Sequence, residues 1–336
     1  MSTKAGLIGS LLFVFIVGCV MVFAFVPVRF PFTSRFHTAR PAISRTLLSQ
    51  AIAVKEPWVV SRGTRVILVP HHVVAAKEIA SLIGALPQSS TVYLIAPDHF
   101  SRGASEITVG SVELANRVTG ASVNEKVLQQ DHGVTAVTPF LERLQPNALI
   151  VPIMMRLDAG TSSRASLTRE LVRRLRDDPH AIVIGSIDFS HYLPAIVADF
   201  HDALAEDVIR SVSDRDADSV ELDSPAAFGV TLAVARALGL GSVKIHAHTN
   251  SLRLLGARLL QESTSHFLVS FAPGPIESRH VSTTLMTNTH SIVSAENRFY
   301  RGVSKIVFVS STRPFAEALV FRDGQIISKT PLPISW

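Results

Sequence analysis

One cysteine, Cys19, is the only thiol in this 336-residue chain. No internal disulfide can form, and a disulfide scaffold and a zinc cage of thiolates are both excluded. Charge is sparse as well: 18% of residues are charged against 47% hydrophobic, a balance too apolar for general disorder. The 32 basic and 27 acidic residues leave a net charge of +5. The basic residues are scattered and no aromatic platform accompanies them, so no nucleic-acid partner is expected. The chain also lacks a GxGxxG turn, a Walker A loop, an HExxH helix and a GxSxG nucleophile elbow. What remains is enough apolar sequence for one large core or two smaller ones.

The longest apolar run is Ala5–Val26, which carries no charge and follows Lys4. At about 1.5 Å per helical residue it is long enough to cross a bilayer core. It is longer than the apolar part of a typical cleaved signal, and no good cleavage site follows. Ile16-Val-Gly-Cys19 resembles a lipobox, but the sequence stays apolar after the cysteine. The expectation is an uncleaved single-pass anchor over residues 1–26, with lipoprotein and cleaved-signal readings as alternatives. Lys4 favours a cytoplasmic N-terminus and Arg29, Arg35 and Arg40 argue the reverse; the globular part is expected outside the cytoplasm.

Residues 27–60, with Pro27, Pro31 and Pro41 and no sustained periodicity, read as a linker. Strand and helix patterns then alternate over residues 61–274. Apolar runs at 65–70, 91–97, 148–154, 181–187, 243–248 and 266–271, with a short one at 106–110, are expected strands. Helices are expected near 72–86, 123–130, 133–144, 166–176, 197–212 and 225–238. This alternation predicts an α/β three-layer sandwich: a central mixed, mostly parallel sheet with helices on both faces. Beyond Pro273-Gly-Pro275 the texture changes, and Lys305–Ser310 with a hairpin near Arg322-Asp-Gly-Gln325 predicts a small β appendage over 275–336.

Three expected strands end in polar residues. Arg65–Pro70 runs into His71, Thr91–Pro97 into Asp98-His99, and Ala181–Ile187 into Asp188-Phe-Ser-His191. Ligands of open α/β sheets collect beyond the carboxyl ends of the strands. Neutral imidazoles there suit iron, copper or zinc, and the residues alone also allow simple capping roles. Asp188 and His191 are candidates for proton transfer or for orienting a ligand histidine. Asp131-His132 lies at an expected helix start, where Asp131 suits a cap. His72 should point away from its neighbour His71. His246 and His248, two residues apart on a strand, are expected to share a face.

These segments resemble, in order, the motifs of the Memo-like family. Pro70-His71 before Ala75-Ala76 resembles its "PHAGY…AA" opening, and Ile95–Phe100 resembles "LGPSHH". Asp131–Leu141 resembles "EHSxEVQLPFL", and Gly185–Tyr192 resembles "SSDFSHY" most closely. Thr249-Asn-Ser251 and Phe267–Phe271 fall where the family has "TS" and "VGYAA". The resemblance implies a fold like that of class III extradiol ring-cleavage dioxygenases, a metal-binding redox site and radical-SAM system partners. Carried over by position, it implicates His71 and His99 as metal ligands, with His132, Asp188 and His191 lining the pocket as catalytic candidates. Where the family often has Cys in "CGxxPI", this chain has Asp223. The resulting ligand set is His71, His99 and Asp223, two histidines and a carboxylate, as in non-haem Fe(II) sites; copper and zinc fit the same donors. The family's two Glu positions in "EHSxE" are Asp131 and Thr135 here, and the second His of "SHH" is Phe100.

Two functions follow as expectations. One is a membrane-tethered, oxygen-activating or redox Fe(II) protein acting on a small molecule. The other is a non-catalytic module of the same fold that holds a peptide or protein partner at the membrane.

Overall fold

The computed structural model describes residues 36–257, 262–276, 293–295, 305–310, 315–322 and 325–333. The expected anchor over Ala5–Val26 lies outside them, as do residues 27–35 of the expected linker. Among the described residues no helix is long and apolar enough to cross a membrane.

Four buried apolar runs build the centre of the sheet. They are β1 (Val66–Val69), β2 (Thr91–Pro97), β5 (Leu149–Met155) and β6 (Ile182–Ser186). Each is apolar on both faces, as a strand covered by helices on both sides must be. They lie parallel in the order β5-β2-β6-β1. Short strands β3 (Ile107–Val109) and β4 (Ala121–Val123) extend the β5 side, with β3 antiparallel to β5. On the other side β9 (Glu262–Ala272) runs antiparallel to β1, to β7 (Phe189–Pro194) and to β8 (Ser242–Asn250). The sheet has nine strands.

Strand alternation divides the interior into two cores. Val66 and Leu68 face one that also holds Leu167, Leu171, Val208, Phe228 and Val230 from the helices Thr161–Asp177, Ala195–Arg210 and Pro225–Ala237. Ile67 and Val69 face the other, with Ile79, Leu82 and Ile83 of the helix Ala76–Ala85 and Phe140 of the helix Thr138–Leu144. Helices therefore cover both faces, as the sequence pattern predicts.

Three features depart from the sequence reading. The helix Arg45–Ala53 forms inside the stretch expected as a linker, with Ser44 as its N-cap and Leu48 and Ala51 buried. Phe36 and Ile43 are buried in the same core, so this segment packs as part of the domain. The expected helix near 123–130 is a single turn, Glu125–Leu128, capped by Asn124. His246 and His248 do not share a face. The β8–β9 register shifts between Ile245 and Ala247. His246 stacks on Trp58 and meets Ser270, whereas His248 stacks on Phe267 and meets Asp202.

Among the described residues of the C-terminal region, a separate antiparallel sheet runs β10 (Val293–Ala295), β11 (Lys305–Ser310), β12 (Phe315–Arg322) and β13 (Gln325–Pro333). Arg322 pairs with Gln325 across the expected hairpin.

Phe228 joins the Pro225–Ala237 helix to the sheet. It is fully buried and meets the Phe189 ring edge to face at 5.4 Å. Truncating a core Phe removes transfer free energy and leaves a cavity, typically costing about 3–5 kcal/mol. Phe228→Ala is expected to lower unfolding stability by about that amount, read from chemical denaturation.

Candidate metal centre

The register of the parallel strands fixes where the site lies. Val69 of β1 is level with Ser186 of β6, and Ile95 of β2 with Gly185. His71, Asp188 and His99 therefore leave the sheet together at the carboxyl edge. Asp223, immediately before the Pro225–Ala237 helix, is tied to the same edge. Its backbone N–H donates to the Asp188 carbonyl at 3.1 Å, and its Oδ2 accepts from the Asp188 N–H at 3.1 Å.

Each histidine is turned by a neighbour. The Ser186 hydroxyl donates to the Gly133 carbonyl at 2.6 Å, so its oxygen can only accept from His71 Nδ1–H, at 3.1 Å. That assigns the proton to Nδ1 and leaves the lone pair on Nε2. The Asp131 carboxylate accepts from His99 Nδ1 at 2.8 Å and from the His99 backbone N–H at 3.0 Å. It also caps the following turn through the Gly133 N–H. Asp188 accepts from the His71 backbone N–H at 3.1 Å. Asp98, also buried, accepts from the N–H groups of Arg102 and Gly103 and so shapes the loop that carries His99.

The two Nε2 atoms then converge on one carboxylate. His71 Nε2 is 3.1 Å and His99 Nε2 3.7 Å from Asp223 Oδ2, and the Asp223 side chain is 5% exposed. Neither Nε2 has a partner of hydrogen-bond geometry, and neither does Asp223 Oδ1. Buried polar atoms are normally satisfied. Three that are not, with donor chemistry suited to a divalent cation, make this cluster a candidate metal site. His132 adds a further nitrogen. Its ring stacks on His99 at 3.9 Å and meets His71 edge on at 5.2 Å. One ligand atom from each of His71, His99 and His132 lies within 4.8 Å of the others.

Protonation follows the same logic. Burial opposes charging His99, but Asp131 and Asp223 outweigh it and raise its pKa to about 9. Burial likewise opposes charging His71, and Asp188 and Asp223 raise its pKa above the ordinary value. Burial favours the neutral acid at Asp223, yet the two imidazoles hold it ionised well below the usual carboxylate range. His132 goes the other way: burial, then the charges of His99 and His71, lower it to about 4. The raised values at His71 and His99 mark a pocket that favours positive charge.

All six residues singled out in the sequence are in this neighbourhood. His71, His99, His132, Asp188 and Asp223 meet directly, and the charge of His191 acts on Asp223. Asp131 and Ser186, which orient His99 and His71, were not singled out for that role. Asp131 read as a helix cap, which it also is. Ser186 lies within the Gly185–Tyr192 motif but carries no signal of its own. A second acid–imidazole group, Asp199, Asp202 and His248, is internally paired: Arg253 binds Asp199, and His248 and Ser190 bind Asp202.

The sequence profile of the family described as Memo-like protein matches residues 111–224, which include Asp131, His132, Asp188, His191 and Asp223. A MEMO1 family protein of Methanothermobacter thermautotrophicus (strain Delta H) is 28% identical over 142 residues, covering 37% of this chain and 51% of the relative. The chain thus spans about half the length of the curated relative it matches. Over these residues the chain is similar to Memo-like proteins.

Asp131→Asn removes the charge that favours protonated His99. The pKa of that imidazole is expected to fall from about 9 in the metal-free protein, followed by NMR titration of the ring. An unchanged value would assign its elevation to Asp223 alone.

Proposed function

We propose that this chain is a metal-dependent redox protein that holds Fe(II) with His71, His99 and Asp223. The observation that supports this reading most strongly is the pair of buried, unpartnered Nε2 atoms facing one carboxylate. Two histidines and one carboxylate form the donor set of non-haem Fe(II) sites with open positions. Iron in such a set supplies one-electron redox and oxygen-activating chemistry. Copper and zinc fit the same donors less distinctively.

The chain's own residues have separable tasks. Ser186 and Asp131 hold the ligand imidazoles in the tautomer that presents Nε2. Asp188 anchors the His71 backbone and couples it to the loop carrying Asp223. His132, uncharged at neutral pH, keeps a lone pair beside the site, where it can receive a proton or serve as an additional ligand. His191 supplies a second imidazole in the same field. The apolar Ala5–Val26 run would tether the domain to a membrane, and radical-SAM system partners follow only from family resemblance.

Electron paramagnetic resonance of the iron-loaded full chain tests the redox reading. After exposure to air, a mononuclear Fe(III) signal is expected that integrates to one spin system per chain and disappears on reduction. Asp223→Ala should lose that signal. Zinc retained tightly while iron is lost would instead favour a hydrolytic centre.

A further inference from the structure

The candidate centre meets solvent past His99 and His132. The His99 side chain is 17% exposed, against 1% for His71 and 5% for Asp223, and His132 is exposed. A molecule approaching the cluster therefore arrives from the His99 side. There the chain places Phe100, at the position where the resembled motif has a second histidine. Phe100 is exposed, and its ring lies 6.2 Å from the rings of both His99 and His132. A phenyl ring cannot ligate a metal, so at this place it can act only as a surface for something else.

Arg102 lies on that surface. Its guanidinium carbon is 4.5 Å from the centre of the Phe100 ring, close enough for the cation to be attracted to the ring face. Its Nη1 donates to Gln130 Oε1 at 3.3 Å. Among the described residues no carboxylate is ion-paired with it. By contrast Arg156, Arg164, Arg173 and Arg210 each meet a carboxylate. The acid beneath the loop, Asp98, is taken up by the backbone N–H groups of Arg102 and Gly103, at 3.0 and 2.9 Å. The turn between Phe100 and Arg102 is strained: Ser101 has φ +48°, a left-handed conformation that costs free energy in a residue with a side chain. Asp98 holds it there, its carbonyl accepting the Ser101 N–H at 3.2 Å. The loop thus presents an exposed cation, fixed by neutral groups, at the open side of the cluster.

We propose that Arg102, held on Phe100, is a specificity-determining residue: it binds the carboxylate of a small molecule whose other end reaches the metal. The proposal rests on the metal reading above and adds the substrate class. A guanidinium presents parallel N–H donors that match a carboxylate in two hydrogen bonds. One cation with neutral neighbours suits a singly charged group, and a phosphate dianion would leave one charge unmatched. Phe100 neighbours both Arg102 and the two imidazoles, which sets the anion site one aromatic ring away from the metal ligands. A substrate joining the two carries its carboxylate several bonds from the atom that meets the metal.

The probes are succinate, glutarate and adipate, each titrated beside its monoamide into the zinc-loaded full chain by calorimetry. A dicarboxylate offers one carboxylate to zinc and the other to Arg102, and the monoamide removes the second charge alone. At least one dicarboxylate is expected to bind about tenfold more tightly than its monoamide, the scale of a charge-assisted hydrogen bond. Arg102→Gln should erase that preference while zinc content stays that of the wild type. Asp98 holds only the backbone N–H of this exposed residue, so the variant keeps the loop. Arg102→Lys, which keeps the charge without the paired donors, should retain part of the preference. No preference in the wild type, or an equal one in Arg102→Gln, would overturn the role of Arg102 and leave the metal reading standing. The same preference in the metal-free protein would detach the anion site from the metal and overturn the shared substrate. A wild type that holds no zinc would overturn the metal reading and this proposal with it.

Discussion

Ser186 has a single hydroxyl proton, and the Gly133 carbonyl takes it. From that commitment the orientation of His71 follows: Nδ1 must donate and Nε2 must face inward. Asp131 imposes the same outcome on His99. Two imidazoles fixed in one tautomer, each offering a lone pair to the same buried space, define the site before any ion is considered. The strand register brings them to one level, and the Asp188–Asp223 backbone contacts add the carboxylate.

The electrostatics of this arrangement favour positive charge. Asp223 is buried and ionised, and Asp131 and Asp188 are buried beside it. Isolated buried carboxylates are strongly unfavourable unless paired. The carboxylates raise the pKa values of His99 and His71 in turn, so the pocket favours positive charge, which a divalent ion would supply. His132, held neutral between them, marks how much positive charge the pocket already carries.

Much of this was readable from the sequence because strand ends are local features. Apolar runs closing on Pro70-His71, Pro97-Asp98-His99 and Ile187-Asp188 announce both the sheet and its polar edge. The motif order added Asp223, whose place beside His71 no local pattern could give. What escaped the reading depends on distant contacts. Asp131 reaches His99 across 32 residues and Ser186 reaches Gly133 across 53. The β8 register shift separated His246 from His248, which alternation alone cannot foresee, and the Arg45–Ala53 helix was hidden by short length and nearby prolines.

Anaerobic metal analysis of the full chain, beside His71→Ala and Asp223→Ala, tests the central claim most directly. Near-stoichiometric metal in the wild type, lost in both variants, is the result this account predicts. Metal retained by Asp223→Ala would remove the carboxylate from the ligand set. A wild type that holds no metal even after reconstitution would contradict the account outright, leaving the buried Nε2 atoms to a different ligand.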